Sequence, residues 1–208
     1  MLTPAFRTTL CLAWMLATAA GLFGMARYEQ AAGRVGDTPG SWPAGTPVTL
    51  DHKRAVLLLF AHPKCPCTRA SIEELNRLLT HCRGDVAVHV LFYAPRNAVD
   101  DWTHTDLWRS AEAIPGVTVE ADPDGEQAQR FGAETSGYVV VYDPYGGLVF
   151  HGGITAERGH VGDNPGAETI VSLLTGQSTS TPQTPVFGCG LRNPKGGVTE
   201  LNSICTKR

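Results

Sequence analysis

The run Ala55-Val56-Leu57-Leu58-Leu59-Phe60 constrains this chain more than any other segment. A short, continuous apolar stretch without alternation reads as a strand buried on both faces, so other elements must cover it from two sides. Directly after it, Ser71–Leu79 carries apolar residues at helical spacing. Val86–Tyr93 is a second β-rich run, followed by a helical stretch from about Asn97 to Ala113, a short strand at Val117–Glu120 and a short helix from Gly125 to Phe131. Tyr138–Tyr142 and Leu148–His151 flank Asp143-Pro144-Tyr145-Gly146-Gly147, which predicts a hairpin. Asn164-Pro165 supplies an N-cap and a first-position proline for a last helix reaching about Thr175. The order predicts one α/β domain over residues 48–175, enough chain for a single core.

The flanks differ in composition. Thr9 to Ala26 is uncharged and mostly apolar, between Arg7 and Arg27. As a helix, about 18 residues span roughly 27 Å, close to the hydrocarbon thickness of a bilayer. Residues 1–27 therefore read as a retained membrane anchor; a cleaved signal peptide, with Ala17-Thr18-Ala19 as its cut site, is the alternative. The apolar residues continuing past that site favour the anchor. Its short amino-terminal head puts the domain on the extracytoplasmic, periplasmic side of a cytoplasmic membrane, where disulfides persist. Residues 28–47, rich in glycine and proline, read as a flexible tether with a short edge strand at its end, and 176–208 as an irregular tail carrying Cys189 and Cys205. With 42% hydrophobic and 18% charged residues, the chain cannot be disordered throughout. A net charge of −3 provides no positive field, so nucleic acid is not an expected partner.

The chemistry is concentrated in His62-Pro63-Lys64-Cys65-Pro66-Cys67-Thr68-Arg69, where the first strand hands over to the first domain helix. With Pro66 in the first helical turn, the thiols stand at a helix N-terminus, where unpaired N–H groups favour a thiolate. Lys64 and Arg69 are expected to add positive charge. A thiolate is the attacking species in disulfide exchange. The inert alternative is a static disulfide or a pair of buried thiols. A static bond here would close a minimal loop and restrict little chain entropy.

On Phe60-Ala61 followed by Pro66-Cys67, the helix after it and the strand order, the segment Leu50–Thr175 resembles the thioredoxin-like superfamily. Within it, the chain is similar to membrane-anchored, extracytoplasmic thiol-disulfide oxidoreductases, and looks closest to a RedB-like branch. The resemblance implies a thioredoxin-like α/β fold, a central mixed β-sheet flanked by helices, and exchange with protein thiols or disulfides. It implies that one cysteine attacks a substrate disulfide and a second resolves the intermediate. Two departures stand out. Aligned on Pro66-Cys67, the usual first cysteine is Lys64, and the extra thiol falls one place later as Cys65. A Cys65–Cys67 bond would close a small ring under strain, hence an oxidising and labile one. The family's cis-proline is replaced by Thr135-Ser136-Gly137-Tyr138, so Ser136 and Gly137 become the candidate substrate-facing residues.

Cys189 sits in an apolar island, Pro185-Val186-Phe187-Gly188-Cys189-Gly190, within the polar tail. Fourteen residues from Thr175 reach at most about 50 Å, more than a domain width of roughly 35 Å. Cys189 is thus a candidate resolving thiol, with a structural Cys189–Cys205 bond as the equal alternative. Cys82 reads as a buried apolar thiol and Cys11 as a membrane residue. The long glycine-rich loop Gly152–Asn164 contains Arg158-Gly159-His160, and His160 is a candidate proton donor or metal ligand. No cofactor is required for exchange. The competing reading is copper(I) held by Cys65, Cys67 and His160, as in the copper-assembly proteins of cytochrome oxidase that share the implied fold. Those proteins space their cysteines more widely and carry a histidine where this chain has Thr135-Ser136-Gly137. A peroxiredoxin motif is absent, since His62 and Lys64 occupy the positions where its threonine would precede Cys65 or Cys67.

Overall fold

A computed structural model describes residues 3–82, 84, 86–97, 102–177 and 183–192. The chain falls into two compact units, Met1–Ala31 and Ala32–Arg208. The first is a helix, α1 (Pro4–Glu29), started by Pro4 and by Thr3, whose hydroxyl accepts the Phe6 N–H. At 26 residues it is about 39 Å long. Its length and a mean hydropathy of 1.7 suffice to cross a membrane. The hydroxyls of Thr8, Thr9 and Thr18 donate to carbonyls four residues back, which satisfies them inside the helix as a lipid surround requires.

The second unit is built on a five-stranded sheet in the order β3-β2-β1-β4-β5. Its strands are β1 (Ala55–Ala61), β2 (Val86–Ala94), β3 (Val117–Pro123), β4 (Tyr138–Tyr142) and β5 (Leu148–Gly153). β1 runs parallel to β2 and β2 to β3; β4 is antiparallel to both β1 and β5. Four helices complete it: α2 (Pro66–His81), α3 (Asp106–Glu112), α4 (Glu126–Arg130) and α5 (Pro165–Leu174). The hairpin turn between β4 and β5 is fixed by Asp143, whose carboxylate takes the N–H of Tyr145 and Gly147, and by Gly146 at φ 84°.

As its sequence predicts, β1 is covered on both faces. Leu57, Leu59 and Ala61 pack with Ile72, Leu75 and Leu78 of α2, Leu107 and Trp108 of α3 and Ile170 of α5. Val56, Leu58 and Phe60 point the other way, where, among the described residues, α4 is the only helix in the cluster they join. Chain without regular structure fills the rest: Val48, Val186 and Leu191 join the cluster with Phe131, Tyr138 and Tyr142.

That second face corrects the expected tether. From Gly33 onward the segment is bonded to the domain: Gly33 N–H to Val186 O at 2.7 Å, Gly36 N–H to Gly132 O at 2.9 Å and Trp42 N–H to Gly146 O at 2.8 Å. The Trp42 ring stands edge-on to Phe131 and Tyr142, at 5.3 and 5.2 Å. In place of a short edge strand there is one isolated bridge, Ser41 to Gly147. Gly33, one of the glycines that suggested flexibility, serves close approach instead, since a Cβ there would lie 2.4 Å from the Thr135 hydroxyl. The tail is likewise docked through residues 183–192; 178–182 and everything after 192, Cys205 included, lie outside the described residues.

The helix expected over Asn97–Ala113 is shorter. It starts at Asp106 after Thr105, whose hydroxyl donates to Pro63 O at 3.0 Å. Trp102 is non-helical and stands edge-on to His62 at 5.4 Å and Tyr93 at 6.0 Å. β3 runs on to Pro123 and β5 to Gly153, beyond their expected ends.

Trp42→Ala is expected to lower the unfolding free energy of the domain by about 2 kcal/mol in urea denaturation, because it removes aromatic packing from one face of the sheet. A free tether would leave the transition where it was.

Candidate active site

The site lies where β1 ends and α2 begins. Cys65 is the N-cap of α2 and Pro66 its first residue, the arrangement the sequence predicts. The Thr68 N–H donates to the Cys65 carbonyl at 3.1 Å, while the Cys65 side chain makes no conventional capping bond. Cys65 is only 1% exposed, and Cys67 is half-buried. The tail delivers the third sulfur: the Cys189 thiol and its backbone N–H both hydrogen-bond the Cys65 sulfur. None of the three is in a disulfide. Cys82 lies in the core, as expected.

The three thiols differ in acidity. Burial alone would push the Cys65 thiol up, and it is the largest single influence. The hydrogen bonds from Cys189, then those from Thr68, together outweigh it and hold the thiol below its ordinary value of 9.0. Burial, with the negative charge and hydrogen bond of Cys65 next, raises Cys67; Arg158 opposes this. Cys189 is pushed up to about 12 by burial and by donating to Cys65. Cys65 is thus the sulfur shifted toward the anion, and its two neighbours are shifted toward the protonated form.

Thr68 can donate because of what stands behind it. The Ser136 hydroxyl accepts the His62 N–H at 2.8 Å and lies 2.7 Å from the Thr68 hydroxyl. An amide cannot accept, so the Ser136 proton is free to point at Thr68, whose own proton goes to Cys65 or to the His62 carbonyl at 3.3 Å. An ionised sulfur is the stronger acceptor. Ser136, expected to face substrate, is buried and acts through this chain. Gly137 enters β4 at φ 90° with its N–H on Phe60 O at 2.8 Å, a conformation that favours glycine.

The expected source of positive charge is corrected. The Lys64 ammonium sits over the Trp102 ring, 4.7 Å from its centroid, and Arg69 pairs with Asp106. Neither is among the largest influences on the thiols. Arg158 supplies the charge: it acts on Cys67 and Cys189 and donates to Gly188 O at 2.6 Å. Its loop is anchored by Glu74, a buried α2 carboxylate that accepts the Gly162 N–H at 2.8 Å and the Asn164 side-chain amide at 3.2 Å. Asn164 also caps α5 through the Ala167 N–H.

His160, in the same loop, is exposed and is not brought to the sulfurs; its N–H lies 3.4 Å from Glu157 O. Among the described residues no group of three or more His, Cys, Asp or Glu side chains is arranged to hold a metal ion. Cys65, Cys67 and His160 are therefore not gathered into one three-residue set. His62 accepts the Lys64 N–H at its Nδ1, 3.1 Å away, and stacks on Tyr93. Burial, with Lys64 second, holds it below the ordinary histidine value.

The mixed sheet with a cysteine turn between its central strand and α2 is a thioredoxin-like fold. No protein-family model matches the chain, and no curated protein matches it. Solved structures do. A conserved protein from Geobacillus kaustophilus aligns at a TM-score of 0.57 with 17% identity, over 81% of this chain and 95% of its own. A hypothetical protein from Sinorhizobium meliloti 1021 aligns at 0.56 with 23% identity, over 80% and 96%. A thioredoxin-like protein solved in its oxidized form gives 0.46 with 16% identity, over 73% and 99%. These are likenesses of fold, and they do not single out the RedB-like branch.

Thr68→Val should slow alkylation of Cys65 by iodoacetamide about tenfold at neutral pH, because a hydroxyl donor to the thiolate is lost. Mass mapping of the labelled peptide reads this out, and an unchanged rate would remove Thr68 from the account.

Proposed function

We propose that this chain is a membrane-tethered thiol-disulfide exchange protein working through its Cys-Pro-Cys turn, with α1 as the anchor and the domain on the extracytoplasmic side. The observation that carries the reading is the hydrogen-bonded Cys65 sulfur, held toward the anion at a helix start with two protonated thiols beside it. Cys65 attacks one sulfur of a substrate disulfide. A Cys65–substrate bond forms, the substrate S–S bond breaks, and its second sulfur leaves as a thiolate. Cys189 yields its proton to that thiolate, and its sulfur attacks Cys65. A Cys65–Cys189 disulfide forms and the first substrate sulfur is released. Two electrons pass from the protein thiols to the substrate, and the reverse sequence oxidises a substrate dithiol.

Cys67 and Cys189 both donate to Cys65, and Cys189 is favoured as the resolving partner because a Cys65–Cys67 bond would close a strained ring around Pro66. Cys67, the more exposed of the pair, then reopens the Cys65–Cys189 bond by attacking the Cys189 sulfur: a Cys67–Cys189 bond forms and Cys65 leaves as a thiolate, with Arg158 favouring the Cys67 thiolate.

The purified chain should exchange with a model protein disulfide, and Cys65→Ser should abolish it. Cys189→Ser should accumulate the mixed disulfide on Cys65. Disulfide mapping after acid quench should find Cys65–Cys189 in the oxidised form. Full activity in Cys65→Ser, or stoichiometric copper(I) binding without exchange, would replace this reading.

A further inference from the structure

Cys65 is 1% exposed, so an external disulfide reaches its sulfur only if something over it moves. Part of that cover is the tail. Residues 188–191 run antiparallel to 134–136: Ser136 N–H donates to Cys189 O at 2.8 Å, Leu191 N–H donates to Glu134 O at 2.9 Å, and Thr135 faces Gly190 as a bridge. Arg158 holds Gly188 O. These contacts read backbone, which any extended peptide can offer.

Two features select among peptides. One is the thiol, presented to Cys65. The other is the missing side chain at 188, where a Cβ would lie 2.0 Å from Ser136 O. Gly188 is not at positive φ, so its glycine provides room rather than conformation. Position 190 is different: a Cβ there would meet nothing nearer than Arg192 O at 3.6 Å, ordinary contact.

We propose that the 188–191 strand is the resident occupant of a peptide-binding cleft, and that the cleft's guest is an extended segment of another protein carrying a disulfide-bonded cysteine directly preceded by glycine. The chemistry rests on the exchange reading above. A guest laid on 134–136 recovers the two main-chain bonds and the Arg158 contact that the tail gives up, so replacement is an exchange of like for like apart from Leu191, which is buried in the tail's place. The guest's half-cystine then stands where Cys189 stood. Cys65 bonds to it and the guest's other sulfur leaves as a thiolate. Return of the tail brings Cys189 back to Cys65: its sulfur bonds to Cys65, the Cys65–guest bond breaks, and the Cys189 proton passes to the departing guest sulfur, which leaves as a thiol.

The test uses the full chain in detergent. Gly188→Val should dislodge the strand and speed iodoacetamide labelling of Cys65 about tenfold, measured above pH 9 so that lost hydrogen bonds do not mask the gain in access. Gly190→Val should label like the parent. Separately, the peptide Thr-Pro-Val-Phe-Gly-Cys-Gly-Leu-Arg, activated as its thionitrobenzoate disulfide, should react with Cys65 of the parent about tenfold faster than the same peptide with valine before cysteine. Equal rates for the two peptides overturn the cleft, and so does unchanged labelling in a folded Gly188→Val chain. If that variant does not fold, the peptide pair alone decides. Equal peptide rates alongside brisk exchange with a generic disulfide would sink the cleft and leave the exchange reading intact. Faster labelling of Gly188→Val with no reaction toward any disulfide would sink the exchange reading and the guest with it, leaving the strand as a cover only.

Discussion

The whole domain answers to one constraint: β1 is apolar on both faces, and each face must be kept from water. Three helices cover one side, while the other has a single short helix and must recruit irregular chain. Burying each large side chain there is worth roughly 1.5–3 kcal/mol, so the segments that do it are integral parts of the core. Val186 and Leu191 therefore bring the tail to the sheet for hydrophobic reasons, and Cys189 between them arrives beside Cys65. Packing here delivers chemistry.

At the cysteine turn, two opposing effects of similar size meet. Desolvation disfavours a charged sulfur, and hydrogen bonds to a charged group return about 1.5–3 kcal/mol each. For Cys65 the bonds win, because Cys189 and Thr68 both donate. For Cys67 and Cys189 burial wins, since their protons are directed at Cys65 and its charge repels a second one. Arg158 moderates the repulsion without reversing it. Charge is assigned by donors in contact, and the basic residues nearest in sequence are engaged elsewhere.

Much of this was legible in the residues, and the reason lies in periodicity. β1, α2, the hairpin and α5 have clean patterns and punctuation, and Pro66 marks where the helix starts. The apolar island around Cys189 signalled docking. Four things were not legible. Trp102 looks like part of a helix because aromatic and charged residues suit one; its engagement with His62, Tyr93 and Lys64 is tertiary. The glycines of 33–47 look like slack because glycine serves both flexibility and close approach, and only the neighbour decides. Arg158 and His160 share one loop, and nothing local says which faces the thiols; Glu74, far away in sequence, sets the loop's path. Thr68 and Ser136 matter through each other, a pairing across 68 residues that no spacing rule contains.

That last pairing has a directional consequence. A row of hydroxyls left to itself can turn end for end and point its positive ends either way. This row begins at the His62 N–H, which can only donate, so the Ser136 oxygen accepts there and its hydrogen is left able to point along the row toward Thr68. With the row turned that way, the sulfur at its far end meets a dipole already aligned, and gaining negative charge there demands little rearrangement of the surroundings.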